Sequence, residues 1–446
     1  TRPYLAESWQ ASDDLKTWTF KLRRGVKWNN GDDFGADDVV YNFKRWLDPA
    51  TGSSNQGLFG AMTETVGDST KMSEGAIEKV DDHTVRLNLN RAELAIPENL
   101  YNYPTAIVHR RFGEDGGDLS KNPVGTGPFA LRDFRVGEIC DLVKRNPADY
   151  WGDEVHLDGI RYIDHGEGTM QSVAALVSNQ VDTVYEVSID EVPLIEQNPN
   201  LVLGEAVTGQ TGVARMQMTQ APFDDIRVRQ AVVLCQDHER LLQLAHRGRG
   251  SVGEDHHVAP IHPEYAALPK RQQDHARAKA LLAEAGYPNG IDLSIDVRQS
   301  PAWELNCMQA FREMLAPAGI RLNLNVMPSS QYWEVWDKTP FGFTAWTHRP
   351  LGVMVLNLGY RSGVPWNESK YSNPAFDRLL DQANATIDIT ERKRIMAQVQ
   401  KTLQDDAIIA QPLWRSVFNA SHKRVQNRVA HPTFYHQFNT TWLADA

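Results

Sequence analysis

Cysteine is scarce. Cys140, Cys235 and Cys307 are the only three, they lie far apart, and no CxxC occurs. An odd, sparse set excludes a disulfide framework and a cysteine-ligated zinc. Long apolar runs are missing too. No stretch approaches 18 residues, so no segment reads as a transmembrane helix. Positive charge is in deficit: 46 Lys and Arg stand against 57 Asp and Glu, a net charge of −11. An acidic chain without a basic stripe excludes nucleic acid and anionic membrane surfaces as natural partners. The chain starts at Thr1-Arg2-Pro3-Tyr4 with no initiator methionine, charged n-region or apolar h-region. The expectation is that a signal peptide, or more than that, has been lost. Chemistry-bearing motifs are also absent. There is no Walker loop, GxGxxG, GxSxG, HExxH or EF-hand pattern.

What is present is ordinary globular composition, 41% hydrophobic and 23% charged over 446 residues, enough for two or three domains. Thr17–Leu22 alternates with period two and predicts a strand with Trp18, Phe20 and Leu22 on one face. Val39, Val40, Phe43, Trp46 and Leu47 follow at helical spacing, ended by Asp48-Pro49. The Gly/Ser/Thr-rich stretch 51–75 reads as a surface excursion. Val85, Leu87 and Leu89 mark a strand, as do 139–144 and 160–163, and Val173 to Val177 suggests a short helix.

Later the pattern alternates. Val228, Ala231, Val232 and Cys235 fit one helix, which makes Cys235 a buried thiol. Asp274 caps a helix that stops at Gly286. The strand 291–297, a helix over 304–316 and a strand through Leu322–Val326 form a strand–helix–strand unit, hence parallel pairing and an α/β domain. Phe341–Trp346 reads as a further strand. Asn373 caps a helix with Pro374 at its first position, and Thr390 opens another.

Two clusters invite a chemical reading. Glu254-Asp255-His256-His257 with His262 and Glu264 has the ligand types of a nickel, zinc or copper site, or is a polar loop between Gly253 and Pro260. Twelve tryptophans are more than packing needs, and Trp333, Trp336, Trp346 and Trp366 crowd the last third. Trp18 and Trp46 read as core. Trp346 ends a predicted strand, and in open α/β sheets ligands lie beyond the carboxyl ends of strands. Arg349 follows, held extended by Pro350, and offers a carboxylate a bidentate fork or a surface salt bridge. Arg215, on the strand-like run 213–218, reads as a cation beneath a cleft or a solvated edge residue. Asp37-Asp38 and Asp224-Asp225 are the imaginable paired acids of a secreted hydrolase, though adjacent acids usually serve a helix start.

In order along the chain, Ala6-Glu7-Ser8-Trp9, Thr17 to Trp28, Gly31 to Val40, Asn122-Pro123-Val124-Gly125-Thr126-Gly127-Pro128-Phe129, Phe223 to Ala231 and Tyr371-Ser372-Asn373-Pro374 through Leu380 resemble the signatures of the family 5 extracellular solute-binding proteins of ABC importers. These are the dipeptide-, oligopeptide- and nickel-binding receptors. The resemblance spans nearly the whole chain. It implies an α/β, two-lobed periplasmic-binding-protein type II (Venus flytrap) fold with three domains. Residues 1–9, 118–211 and 417–446 would form a discontinuous central α/β domain whose N-terminal part is missing, 10–117 a small second domain, and 212–416 the opposite α/β lobe. It implies binding without catalysis: no catalytic residue, metal or cofactor, a small peptide or amino-acid-like solute enclosed in an interlobe cleft by hinge closure, an inner-membrane ABC permease as partner, a monomer, and a periplasmic or extracellular location.

The resemblance also sharpens the site. Ala345-Trp346-Thr347 is similar to the family's ligand-lining "GW" strand end. Dipeptide receptors place an aspartate shortly after that tryptophan, whereas residues 348–353 here contain no acid. A carboxylate-bearing solute gripped by Arg349 is the resulting expectation. Trp346, Trp366 and Trp414 would supply apolar walls, Arg349 and Arg215 cationic contacts, Gln217 a polar group beside Arg215, and Thr347 and His348 hydrogen bonds. A receptor for a metal chelate or an opine-like conjugate is the alternative.

Overall fold

The computed structural model describes residues 2–67 and 69–444. The chain divides into two compact units: one of residues 1–166, 423–429 and 437–446, the other of 167–422 and 430–436. The expected boundary at 211/212 falls inside the second unit. A single 16-residue strand, Leu201–Met216, runs through it and pairs with Leu413–His422 along the way, so both sides of position 211 belong to one sheet.

The first unit begins with a four-stranded antiparallel sheet, in the order Ala6–Ala11, Thr17–Leu22, Thr84–Asn88, Ile77–Asp81. Trp18, Phe20 and Leu22 are buried as their alternation predicts. The helix Ala36–Leu47 buries Phe43, Trp46 and Leu47. Asp38 is buried at its start, where the carboxylate accepts the Gly35 N–H at 3.0 Å, the Arg110 N–H at 3.1 Å and the Trp28 indole N–H at 3.2 Å. Asp37 pairs with Lys79 at 2.8 Å. Neither acid is arranged as half of a hydrolytic pair. The segment 51–75 is only partly a surface excursion. It carries the short helix Asn55–Leu58 and a hairpin of Thr63–Val66 with Ser69–Met72, and it buries Leu58, Phe59 and Met62. Its Gly/Ser content hid these core residues, with Ala61 among them. Asn29 is bolted to the Gly125-Thr126-Gly127 segment through hydrogen bonds with both Gly125 backbone groups and the Pro123 carbonyl.

The second unit is built on one mixed eight-stranded sheet. Its main order is Thr183–Val184, Leu413–His422, Leu201–Met216, Phe341–Trp346, Ile291–Arg298, Ile320–Met327, with Gly250–Val252 and Ile409–Ala410 pairing alongside. Ile291–Arg298 and Ile320–Met327 pair in parallel in an unbroken register, joined by the helix Ala302–Leu315, as the strand–helix–strand pattern requires. Phe341–Trp346 also runs parallel to Ile291–Arg298. Three strands therefore deliver their carboxyl ends to one edge. Ile291, Leu293, Ile295 and Val297 point into a core shared with Cys307, Phe311, Phe341 and Phe343. Asp225, Asp274 and Asn373 cap the helices Ile226–Leu234, His275–Glu284 and Pro374–Asn384 through their side chains. Asp225 is spent on this cap, so the second imagined acid pair is also structural. Among the described residues no helix is long and apolar enough to cross a membrane.

Candidate functional site

Trp346 ends its strand opposite Thr211, and Thr211 stands opposite Trp414 on the other side. The three residues thus share one row on one face of the sheet. His257 fills the row. Its ring centroid lies 5.5 Å from Trp346, 5.8 Å from Trp414 and 5.6 Å from Tyr360. Trp346 also packs its outer ring edge against the helix Gly352–Gly359: a Cβ on Gly359 would come within 2.7 Å of its ring, so only glycine fits there. The consequence corrects one expectation. Trp414 is 1% exposed and packs as core under His257, so it is not an open wall. Trp346 is 5% exposed, and its remaining edge meets Trp366 at 6.0 Å.

Arg215 and Gln217 are corrected as well. Arg215 is completely buried, with its Nε–H donating to Glu368 Oε2 at 3.0 Å and its two Nη groups to the Thr339 and Trp336 carbonyls. Gln217 is buried and donates to the Asp337 carbonyl at 3.3 Å. Both side chains face inward from the strand Leu201–Met216 and its extension, and they clamp the turn at 336–339 instead of meeting solvent.

Glu368 is the residue sequence reasoning missed. It is buried, and besides Arg215 it accepts the Trp346 indole N–H at 2.8 Å and the Thr344 hydroxyl at 2.5 Å. Burial raises its pKa, opposed by the Arg215 guanidinium and these donors. No periodicity marks it: it sits in an irregular loop between the helices Gly352–Gly359 and Pro374–Asn384.

The turn Trp346–Pro350 is fixed by two histidines. His262 donates from Nε2 to the Arg349 carbonyl at 2.9 Å and accepts the Ala259 N–H at Nδ1, also 2.9 Å. His348 accepts the Gly209 N–H at Nδ1, 2.9 Å. Burial keeps both neutral, lowering His262 to about 3 and His348 to about 4. Thr347 is exposed and His348 half-buried. Arg349 is 3% exposed, its guanidinium 5.7 Å from the centre of the Trp346 ring and within 3.3 Å of the Thr347 carbonyl and hydroxyl. The structure therefore gathers Trp346, Thr347, His348, Arg349 and Trp366 at the carboxyl end of a central strand, supported from below by Trp414, His257 and Glu368.

The metal reading of the 254–264 cluster is corrected. Asp255, His256, His257, His262 and Glu264 are buried but serve separate partners: Asp255 accepts the Gln411 N–H at 3.1 Å, Glu264 the Val353 N–H at 3.1 Å, and His257 meets the Tyr360 hydroxyl at 3.0 Å. Among the described residues no group of three or more His, Cys, Asp or Glu is arranged to hold a metal ion.

The model of the bacterial extracellular solute-binding proteins, family 5, matches residues 1–363. Heme-binding protein A of Haemophilus influenzae is 27% identical over 465 aligned positions, covering 98% of this chain and 83% of its own length. Di/tripeptide-binding protein 1 of Pseudomonas aeruginosa is 24% identical, covering 95% of this chain and 82% of its own. Among solved structures, the periplasmic binding protein AgaA from A. tumefacien R10, in complex with agropinic acid, superposes with a TM-score of 0.86 at 23% identity, covering 100% of this chain and 90% of that one. The fold is thus that of the periplasmic binding proteins.

Proposed function

Because this chain belongs to the bacterial extracellular solute-binding proteins, family 5, and is a solute-binding protein and not an enzyme, we propose that it is the receptor of an ABC importer for a small peptide or amino-acid-like solute bearing a carboxylate. Its partner in this reading is an inner-membrane ABC permease, and its working place is the periplasm or cell exterior. The observation that carries the reading is the guanidinium of Arg349. It sits beside Trp346 on a turn at the carboxyl end of a central strand, and the chain from Thr347 to Val353 contains no acid. A guanidinium in that place selects for a carboxylate, which it can meet bidentately. Thr347, exposed at the same turn, offers a hydroxyl for the solute's polar groups.

The same residues favour a second reading, an opine-like conjugate, whose carboxylates suit the same arginine. The fold neighbour in complex with agropinic acid supports that class.

Isothermal titration against di- and tripeptides, their C-terminal amides and opine-type conjugates tests the assignment. Solutes with a free carboxylate should bind, and amidation should weaken them at least tenfold. Arg349→Gln should cost roughly 1.5–3 kcal/mol of affinity for the free acids, the usual worth of a charged hydrogen bond, and much less for the amides. Silence towards every peptide and conjugate, or equal binding of acids and amides, would sink the reading.

A further inference from the structure

We propose that Trp366, Trp336 and Trp333 form a second recognition surface, one that takes an aromatic or planar group carried by the solute. The proposal rests on the receptor reading above and adds the solute's second chemical feature. Starting from Trp346, the indoles of Trp366, Trp336 and Trp333 follow one another at 6.0 Å each, with interplanar angles of 72°, 89° and 72°. Every step is edge-to-face, the arrangement the aromatic quadrupole favours.

Three observations separate this ladder from ordinary packing. The first is its place. Arg298 ends one parallel strand, Trp333 and Trp336 follow the second in and just after the helix Ser329–Val335, and Trp346 ends the third. The ladder therefore lies along the edge where α/β sheets bind ligands. The second is its graded exposure. Trp346 is 5% exposed, Trp366 and Trp336 are half-buried, and Trp333 is 43% exposed. A core cluster would be closed throughout, whereas this one opens outward as a wall.

The third is the cost of holding it still. The fully buried Arg215 donates to the Trp336 and Thr339 carbonyls, and Gln217 to that of Asp337. At the outer end the Arg298 guanidinium lies 4.8 Å from the centre of the Trp333 ring and is itself held by the buried Glu304. Spending a buried arginine to pin a turn that carries a half-exposed indole makes sense if the rings must be fixed before the solute arrives, because preorganised rings bind at low entropic cost. The charges then define the occupant. Arg349 stands at the inner end beside Trp346. The charge of Arg298 is already met by Glu304, so the outer end calls for a neutral ring and not a second carboxylate.

The test uses the whole protein and six defined probes in isothermal titration: Ala-Ala-Ala, its three single-phenylalanine variants, N-acetylglutamate and N-benzoylglutamate. We expect at least one ring-bearing probe to bind about tenfold more tightly than its ringless counterpart. We expect Trp333→Ala and Trp336→Ala to bring that ratio close to one, and Trp333→Phe to keep most of it. Thermal melts establish that each variant is folded. A ratio near one in the unmodified protein, with Ala-Ala-Ala or N-acetylglutamate still bound, removes the ladder and leaves the receptor reading standing. A ratio that survives both alanine variants also removes the ladder. Silence towards all six probes counts against both.

Discussion

Glu368 answers to three donors at once, the Arg215 guanidinium, the Trp346 indole and the Thr344 hydroxyl. A carboxylate buried this fully is tolerable only because its lone pairs are filled, and the same holds for the arginine. Removing one partner strands the other. Glu368→Leu is expected to lower the unfolding free energy by about 3–5 kcal/mol, read from urea denaturation, and Arg215→Met by a similar amount. The double variant should recover much of the loss, because no buried charge is left unpaired. Recovery should be incomplete, since the Trp346 N–H and the Thr344 hydroxyl still lack their acceptor. A double variant as unstable as the sum of the two singles would contradict the assignment. Arg215 shows why residue-level reading fails at such points. Alternation along 213–218 cannot say whether an arginine faces a cleft or an interior acid, because its partner lies 153 positions away in a loop without periodicity.

At the scale of elements, the turn Trp346–Pro350 is held by bonds that require neutral imidazoles. Both Nδ1 atoms of His262 and His348 accept backbone N–H groups, and protonation would turn each acceptor into a donor. His348 and His256 face His262, and His431 and the Arg349 guanidinium face His348; all four disfavour a further positive charge, and only the Arg349 carbonyl, accepting from His262, works the other way. Folded-state values of about 3 and about 4 lie below the ordinary 6.5, so the unfolded chain binds more protons as acid is added. The stabilisation is complete above about pH 6.5 and is lost as pH falls towards 4, on the order of 2–3 kcal/mol per histidine. Glu304, which burial raises to about 7, works in the opposite sense between pH 4.5 and 7. Urea midpoints measured from pH 7.5 to 4 should fall, and the fall should be shallower in His262→Asn. An unchanged slope in that variant would reject the histidine latch. The strand that delivers the turn was legible in the sequence at both ends, as were the side-chain caps at Asp274 and Asn373, because period and cap chemistry are local. The histidines that hold it were not. A run of Glu, Asp and His reads as polar loop or metal site until the neighbouring Trp346 and Trp414 are seen to bury it.

At the scale of the whole molecule, the strand–helix–strand unit and its parallel pairing followed from alternation alone, while the long-range pairing that completes the sheet did not. A boundary depends on which distant strands pair, and Leu201–Met216 pairs with Leu413–His422 across some 200 residues. The two units differ in build. The second is built on one eight-stranded sheet, whereas among the described residues the first is assembled from sheets of four, three, two and two strands. Strands joined in one hydrogen-bonded sheet open together, so the units should unfold in separate steps, the first unit at lower temperature. The three cysteines report on this division. Cys140 lies half-buried in the first unit, and Cys235 and Cys307 are fully buried in the second. Burial pushes the Cys235 thiol up to about 12 and raises Cys307 further, so neither forms a thiolate while its unit is folded. Calorimetry should show two transitions, with thiol labelling counting one cysteine after the first and three after the second. A bound carboxylate solute should raise the second transition, where Arg349 lies, by about 2.7 kcal/mol at a hundredfold excess over Kd. One transition releasing all three thiols together would show that the chain unfolds as a single body.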